Sequence, residues 1–375
     1  MNAVFVYGTL RHLPLLESVL GHAVPDLRRI PAKLPDHRVC LVRGQAFPMI
    51  FNAPGDAAEG LLLHGLSAAD VARLDFYEQV FGYTLHPVEV DSDTGPVEAL
   101  IWTPPDNTYE PGDAFDLAQW ADQWGRINCR AAQEVVSYHG QKLPEEVGRI
   151  YAMIHARASS WVYARDEAPT ETPSGLGEED VISHDTSRPY ANYFAVEEQQ
   201  LQFRKFGGGM SAEVQRASFV STDAALVLPY DPKRDRVLLL EQFRMGPWAR
   251  GDRSPWQLEP VAGRVDPGES PEDCARREAL EEAGLDLQGL ELIHRGYPSP
   301  GCSSEFFHVY LALADLPDHA QGTGGVDGEH EDIRSHVLSF DAAMEMLDRG
   351  QLRVMPLAMA LLWLARNRDR LRAEA

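Results

Sequence analysis

Short apolar runs separated by glycine and proline turns mark the first 115 residues of the chain. Residues 4–7, 58–65 and 96–102 predict strands, and residues 67–77 predict a short capped helix. Short strands interrupted by a helix are typical of an α+β or small-barrel domain. We therefore expect a first domain of this kind over residues 1–115.

Apolar side chains recur at helical spacing over residues 116–167. The series include Trp124 and Trp161, and tryptophan at such spacing packs in a core far more often than it contacts a cofactor. Residues 168–180 are polar and rich in proline and glycine, which is typical of a linker. Residues 116–185 are therefore predicted to form a helical connector and linker.

Strands and helices share residues 186–375, the predicted second domain. Strands are predicted at 201–206, 214–220, 224–229, 236–243, 306–314 and 334–338. A helix over 271–283 and two C-terminal helices accompany them. Strands sandwiched between helices over this length predict an α/β/α fold.

The helix over 271–283 has clear start and stop signals. Ser270 is a good N-cap, Pro271 suits the first helical position, and acidic residues fill the first turn. Gly284 is placed to end the helix, because glycine readily adopts the left-handed conformation of a helix C-cap. The bounds of this helix are thus predicted from local signals.

One face of this helix is acidic. Glu278, Glu281 and Glu282 stand at i, i+3 and i+4 and share that face, and Glu269 enters from the loop before the cap. Like charges at this spacing destabilise a bare helix by roughly 0.2–0.5 kcal/mol per pair, so the cluster favours a cation. Hard oxygen ligands select Mg²⁺ or Mn²⁺ over zinc. A solvated acidic helix is the alternative.

Composition limits the classes of function. The 375 residues suffice for two or three domains, and a hydrophobic content of 44% permits real cores. The apolar run 354–365 contains Pro356 and is too short to cross a membrane. The net charge of −23 argues against nucleic-acid or anionic-membrane partners.

The location of the protein is predicted from its N-terminus and its cysteines. The first residues lack the basic segment of a signal peptide and resemble a strand. The cysteines are widely scattered, with no short metal-binding spacing: Cys40, Cys129, Cys274 and Cys302. Scattered cysteines are typical of a reducing compartment, so we expect a cytoplasmic protein.

The acidic helix and its flanks match a known motif. The matching residues are Gly263, Glu269, Arg277, Glu278, Glu281, Glu282, Gly284 and Leu285. Their spacing is that of the Nudix box, a highly specific motif, and Ala279 departs from it where a larger aliphatic residue is commoner. The chain therefore resembles the Nudix hydrolases, which implies their α/β/α sandwich.

Flanking segments narrow the resemblance to the ADP-ribose pyrophosphatase subfamily, over residues 210–370. The similar segments are 241–244, 255–259, 261–263, 299–305 and 329–333. The resemblance implies Mg²⁺-dependent hydrolysis of ADP-ribose to AMP and ribose 5-phosphate by metal-assisted displacement. Two alternatives stay open: another nucleoside diphosphate sugar such as GDP-mannose, and a protein that senses the nucleotide without turnover.

The same resemblance assigns roles within the acidic cluster. Glu278 and Glu282 would ligate the metal directly, with the backbone carbonyl of Ala262 as a third donor. Glu281 would ligate a metal directly or through water. Arg277 would hold the carboxylates in register by charge-assisted hydrogen bonds.

The family's general base lies on a loop, which corresponds here to residues 321–332. Glu329 is the matching residue, and Glu331 is the alternative base or a further metal ligand. A solvated acidic loop without catalytic function is the plainer interpretation of this composition.

Substrate contacts also follow from the resemblance. Arg244 would contact phosphate, because a guanidinium matches phosphate oxygens. Glu305 would accept hydrogen bonds from the terminal ribose, and Arg216 would reach the site from a partner subunit. The resemblance thereby implies a homodimer, while surface ion pairs are the alternative role of both arginines.

The first domain resembles the γ-glutamylcyclotransferase-like (AIG2-like) family through residues 4–11, Val-Phe-Val-Tyr-Gly-Thr-Leu-Arg. In that family the loop formed here by Tyr7, Gly8, Thr9 and Leu10 offers backbone N–H groups to a carboxylate. The resemblance implies an α+β barrel that cyclises a γ-glutamyl group to 5-oxoproline with release of an amine.

Glu78 matches the catalytic acid/base of that family. A carboxyl partly buried beside aromatic side chains would have a raised pKa, which suits proton transfer near neutrality. The sequence departs from the family at Gln79, where glycine is usual. A non-catalytic docking or dimer-supporting module is therefore the alternative. The tandem as a whole resembles bacterial two-domain Nudix proteins associated with tellurite resistance, which names a phenotype and no reaction.

Overall fold

The computed structural model describes residues 3–105, 108–167, 172–287, 289–324 and 332–374. The chain forms two compact units, Met1–Thr170 and Glu171–Ala375. In the described residues of the first unit the elements are β1 (Ala3–Val6), α1 (Leu13–Leu20), β2 (Arg28–Val42), β3 (Pro48–His64), α2 (Ala68–Gln79), β4 (Thr84–Ser92), β5 (Gly95–Thr103), β6 (Pro111–Ala114), α3 (Leu117–Ser137), α4 (Pro144–Arg149) and α5 (Tyr151–Asp166).

The first unit is built on a closed barrel of five strands. The strand order is β3-β1-β5-β4-β2, and β2 pairs back with β3 to close the ring, while β6 extends from β2. Strands β1 and β5 run parallel, and β2 and β3 form a long antiparallel pair. Closure leaves few exposed strand edges. The predicted α+β barrel is confirmed.

The barrel interior depends on a glycine. Phe5 is 1% exposed and lies on the same face of the barrel wall as its cross-strand partner Leu62. A Cβ atom added to Gly60 would lie 2.4 Å from the Phe5 ring, so only glycine leaves that ring its space. The Glu59-Gly60 pair of the sequence thus has a packing reason.

Helices α3 and α5 belong to the first unit by their packing. They pack against each other, and α3 also packs against α1. A buried ion pair joins them, with 2.6 Å between Arg157 Nη2 and Glu134 Oε1. The sequence placed these helices in a connector between two domains; the structure includes them in the first. Trp161, expected in a core, is 44% exposed and is covered by the guanidinium groups of Arg130 and Arg165.

The second unit contains more strands. Its described elements are β7 (Val181–Ala191), β8 (Ala195–Phe203), β9 (Val214–Val220), β10 (Asp223–Asp231), β11 (Arg236–Phe243), α6 (Met245–Arg250), β12 (Trp256–Glu259), β13 (Val261–Arg264), α7 (Pro271–Ala283), β14 (Gly289–Gly296), β15 (Phe306–Leu313), β16 (Gly322–Gly324), β17 (Ile333–Ser339), α8 (Phe340–Asp348) and α9 (Met355–Ala373).

These strands form two sheets. Strands β7, β8 and β9 form an antiparallel sheet, and the larger sheet has the order β14-β15-β10-β11-β17-β16. Strand β12 pairs with β11, and β13 pairs with β10. Strands β10 and β15 run parallel in the centre of the larger sheet.

Helices cover both faces of the larger sheet. Leu226 and Leu228 of β10 pack in one core with Leu361 of α9. Side chains alternate along a strand, so Ala225 points to the opposite face, where α7 contacts β10. The predicted α/β/α sandwich is thereby confirmed. Within the described residues, no helix is long and apolar enough to cross a bilayer.

Candidate functional site

Helix α7 has the predicted bounds. The Ser270 hydroxyl accepts a hydrogen bond from the backbone N–H of Asp273 at 3.1 Å, and Pro271 occupies the first turn. Gly284 adopts φ 64°, in the left-handed region that favours glycine, and its N–H donates to the Leu280 carbonyl. Both ends of the helix are thus fixed by local contacts.

A glycine on β13 makes room for the acidic face. A Cβ atom added to Gly263 would lie 1.8 Å from Glu278 Oε1 and 1.9 Å from its carboxyl carbon. Gly263 itself pairs with Ala225 in the sheet. The first glycine of the motif therefore lets the Glu278 carboxyl rest directly on the backbone of β13.

Arg277 holds the other carboxylates together. Its Nε and Nη2 donate to the two oxygens of Glu269 at 2.9 and 3.0 Å. Its Nη1 donates to Glu278 at 2.7 Å and to Glu281 at 3.0 Å. These carboxylates raise the pKa of Arg277, with the hydrogen bonds that Arg277 donates to Glu269 as the largest cause. The predicted role of Arg277 in holding the cluster agrees with this geometry.

Glu282 is the most buried acid of the helix, at 3% exposure. Its Oε2 accepts a hydrogen bond from the backbone N–H of Ala262 at 3.2 Å. The carboxylate is therefore beside the residue whose carbonyl was predicted as a metal donor.

The chemistry of the donors fits a hard divalent cation. Within the described residues, no group of three or more His, Cys, Asp or Glu side chains is gathered as a metal cluster, and Arg277 stands between Glu269 and the acidic face. The predicted ligands that are described offer only oxygen atoms, which suit Mg²⁺ or Mn²⁺. The residues present are thus compatible with the predicted ion.

The predicted base and the fifth predicted ligand, Glu329 and Glu331, lie outside the described residues. The strands on either side are described, and Gly324 of β16 pairs with Ile333 of β17. A Cβ atom added to Gly324 would lie 2.2 Å from the backbone oxygen of Glu282. Gly324 therefore lies beside the C-terminal end of α7, and Ile333 lies opposite Gly324 on β17.

Arg244 and Glu305 lie near each other in the second unit. Burial raises the pKa of Glu305, and the charge of Arg244 opposes that rise. The Arg244 Nε donates to Glu259 at 2.8 and 3.1 Å, and Glu259 is 6% exposed. Glu259 thus orients the guanidinium, a role that sequence reasoning did not assign.

Arg216 does not lie beside Arg244 and Glu305. It lies exposed on β9, and its Nη1 donates to the carbonyl of Gln215 at 3.0 Å. The far end of β9 contacts the segment that leads to Glu305, through hydrogen bonds between Phe219 and the backbone of Cys302 and Ser304. A role for Arg216 from a partner subunit stays a prediction.

A pocket opens in the first unit. It brings together the predicted residues Tyr7, Gly8, Thr9, Leu10 and Glu78. Most of its other lining is aromatic, which is typical of a small-molecule site. The predicted loop and the predicted acid/base therefore share one cavity.

Close packing fixes the loop of this pocket. A Cβ atom added to Gly8 would lie 2.8 Å from the Pro48 ring. The Tyr7 hydroxyl donates to the Trp102 carbonyl at 3.0 Å, and the Tyr83 hydroxyl donates to the Pro48 carbonyl at 2.9 Å. The loop is thus held from two sides.

Glu78 has the raised pKa expected of an acid/base. Burial raises the pKa of Glu78 to about 8, and the nearby Asp75 adds to the rise. Its side chain keeps some exposure because it lines the pocket. Among the described residues its carboxyl oxygens form no hydrogen bond, so the acid is available to a ligand.

Two pocket residues were missed by sequence reasoning. Asn128 of α3 and Tyr151 of α5 line the cavity. Asn128 stood within a series of apolar positions that predicted a helix core. A buried asparagine in such a series was the one signal that could have indicated a polar site.

Comparisons with known proteins agree with both units. The NUDIX domain model matches residues 220–358, and the model for the AIG2-like γ-glutamyl cyclotransferase matches residues 4–122. The ADP-ribose pyrophosphatase of Escherichia coli K12 is 37% identical over 206 residues, covering 55% of this chain and 98% of that protein.

Two further relatives are similar over the second unit. The ADP-ribose pyrophosphatase of Haemophilus influenzae is 36% identical, covering 48% of this chain and 82% of that protein. The GDP-mannose pyrophosphatase of Escherichia coli O1:K1 is 33% identical, covering 43% of this chain and 83% of that protein. With the acidic face of α7 set on β13, these likenesses show that the chain belongs to the Nudix hydrolase family and carries an AIG2-like domain ahead of its NUDIX domain.

Proposed function

We propose that the second unit hydrolyses ADP-ribose to AMP and ribose 5-phosphate with Mg²⁺, or Mn²⁺ in its place. The observation that carries the proposal is the acidic face of α7, folded onto the backbone of β13 and held by Arg277. The names of the Escherichia coli and Haemophilus influenzae relatives support ADP-ribose as the substrate.

Five residues would hold the divalent ions: Ala262 through its carbonyl, Glu278, Glu281, Glu282 and Glu331. When bound, such ions neutralise phosphate oxygens and lower the pKa of a bound water. The Ala262 N–H holds the Glu282 carboxyl in place, and Arg277 holds Glu278 and Glu281 in place before an ion arrives. Preorganisation of this kind lowers the cost of assembling the site.

Substrate binding would use Arg244 and Glu305. Arg244, oriented by Glu259, would contact the diphosphate, and Glu305 would accept hydrogen bonds from a ribose. Glu329 would take a proton from the attacking water, which the position of β16 and β17 beside α7 supports. Water would then form a bond to phosphorus as the bond to the leaving phosphate oxygen breaks.

A homodimer in the cytoplasm is part of the proposal. The sheet β7-β8-β9 and its turns expose large apolar side chains, which are Tyr190, Tyr193, Phe194, Phe203 and Phe219. Exposed apolar groups of this size are typical of a surface that another chain covers. The cysteines are free thiols, which supports a reducing compartment.

The test of the hydrolase uses Glu282→Gln. Glutamine keeps an acceptor for the Ala262 N–H and removes the charge, so the fold should persist while ADP-ribose turnover falls at least a hundredfold in Mg²⁺. Glu272→Gln, on the same helix and away from the acidic face, should keep wild-type turnover. Wild-type turnover in Glu282→Gln would refute the assigned ligands.

A second function belongs to the first unit, where we propose γ-glutamyl cyclotransfer. The supporting observation is the carboxyl of Glu78, with a pKa of about 8, in a pocket with the loop 7–10. The substrate's α-amino nitrogen would attack its γ-carbonyl carbon, forming the ring C–N bond as the bond to the departing amine breaks. Glu78 would take the proton from the attacking nitrogen and give it to that amine.

Release of 5-oxoproline from γ-glutamyl amines tests this second function. Release should occur with the wild-type chain and stop in Glu78→Gln. No release across a broad panel would favour the non-catalytic docking module instead. Loss of ADP-ribose turnover in Glu78→Gln is not expected, because Glu78 lies in the other unit.

A further inference from the structure

We propose that Asn128 and Tyr151 are specificity-determining residues of the first-unit pocket and select ligands whose departing half is a neutral amide. The inference rests on the proposed cyclotransferase function of that pocket. Both residues lie outside residues 4–122, the part of the chain that matches the AIG2-like model. They come from α3 and α5, so this chain's own helices complete the cavity wall.

A hydrogen-bonded relay fixes the polar atoms of this wall. The Tyr151 hydroxyl donates to Asn128 Oδ1 at 3.3 Å, and Asn128 Nδ2 donates to the Trp124 carbonyl at 3.0 Å. The amide orientation is thereby set, since Nδ2 faces a carbonyl and Oδ1 faces a hydroxyl. Among the described residues, the second N–H of Asn128 and the lone pairs of the Tyr151 hydroxyl have no hydrogen-bond partner, and both residues line the cavity. A donor beside an acceptor is the complement of an amide group.

Aromatic contacts hold the Tyr151 ring near the acid. Its centroid lies 4.7 Å from that of Phe81 in an edge-on contact, and 5.8 Å from the stacked ring of His155. Phe81 also contacts Tyr77, with centroids 5.4 Å apart, and Tyr77 precedes Glu78. The wall therefore adjoins the end of α2 that carries Glu78, the residue proposed above to protonate the departing amine.

The charge of the pocket favours a neutral group at this wall. Among the described residues the pocket lining contains no lysine, arginine or histidine, and Glu78 is its one ionisable carboxyl. Burial raises the pKa of Tyr151, so its hydroxyl stays protonated. A carboxylate placed here would lose its hydration without a counter-charge, whereas an amide would exchange water for the two fixed groups.

The experiment compares two probes with the full chain: γ-L-glutamyl-L-alanine and γ-L-glutamyl-L-alanine amide. Wild type should prefer the amide in kcat/KM by about tenfold or more, because the amide gains hydrogen bonds to the wall whereas the carboxylate would bury a charge. Tyr151→Phe and Asn128→Leu should each lower that preference about three- to tenfold, mainly through KM. Gln133→Leu, on the exposed face of α3, should keep it.

The results of this experiment distinguish the proposed role of the wall from the proposed cyclotransferase function. An unchanged preference in both variants, with melting temperatures near that of wild type, overturns the role of the wall, as does a wild type that treats both probes alike. If wild type releases no 5-oxoproline, the cyclotransferase proposal fails, and calorimetric titration with the same probes tests the wall. Binding that is selective for the amide probe and weaker in both variants supports the role of the wall. Equal binding of the two probes, or no binding, overturns that role.

Discussion

Glu78→Gln should stabilise the chain, and the gain should grow with pH. The wild-type carboxyl lies in the aromatic pocket of the first unit, where burial raises its pKa from 4.5 to about 8. Glutamine has nearly the same shape and no charge to bury. The substitution therefore isolates the cost of an ionised group at this position.

The sign of this pH dependence follows from the number of protons that the folded and unfolded chains bind. Below about pH 4.5 the carboxyl is protonated in the folded and unfolded chain and favours neither. From about pH 4.5 to 8 the unfolded chain loses this proton while the folded chain keeps it, so the free energy of unfolding falls by up to about 1.4 kcal/mol per pH unit. Partial exposure through the pocket reduces the total, which we expect to be about 2–5 kcal/mol.

Scanning calorimetry of the full chain measures this difference. Between pH 5 and pH 8.5, the melting temperature of the first unit in Glu78→Gln should rise relative to wild type by roughly 5–15 °C. Glu89→Gln, an exposed acid on β4, controls for the loss of one negative charge and should show little change. An advantage of Glu78→Gln that is equal at both pH values would refute the buried, protonated acid.

Three further predictions concern packing and charge. Gly263→Ala should displace the Glu278 carboxyl, destabilise the second unit by about 1–3 kcal/mol and lower ADP-ribose turnover at least tenfold; a variant with wild-type kinetics would show that this contact is unimportant. Glu134→Gln should cost the first unit about 3–5 kcal/mol in calorimetry, because it removes the charge of the carboxylate that lies 2.6 Å from the buried Arg157 guanidinium, and a loss under 1 kcal/mol would contradict this. Ser270→Ala should cost about 1 kcal/mol in urea unfolding through the lost N-cap, and no change would contradict the cap.

The helix over 271–283 could be predicted to the residue because its signals are local. Ser270, Pro271 and Gly284 act within one turn of the ends they define. Strand β11 was likewise predicted with its observed bounds, since an apolar run between turn signals is a local pattern. Where a few neighbouring residues decide a structure, the sequence was sufficient.

Other elements depend on distant partners and were missed. Strand β2 contains Pro31 and Pro35 and alternates poorly, yet it extends over fifteen residues because β3 pairs along its length. The helices of residues 117–166 were recognised, but their sequence does not reveal which unit they pack against. Trp161 shows the same limit, since periodicity does not distinguish a buried face from one covered by arginines.

The same distinction between local signals and distant partners applies to the residues of the candidate sites. The acidic face of α7 follows from spacing, and its motif indicated a known chemistry. Glu259, Asn128 and Tyr151 were given no role because each acts through a residue far away in the sequence or on another helix. Their roles needed the three-dimensional arrangement of strands and helices.

Cleavage of ADP-ribose by the second unit can be tested with the purified wild-type chain in Mg²⁺. The measurement compares kcat/KM for ADP-ribose and GDP-mannose, with products identified by chromatography. We expect AMP and ribose 5-phosphate, with ADP-ribose preferred by at least tenfold. Faster turnover of GDP-mannose, or tight binding of ADP-ribose without any cleavage, would contradict this expectation.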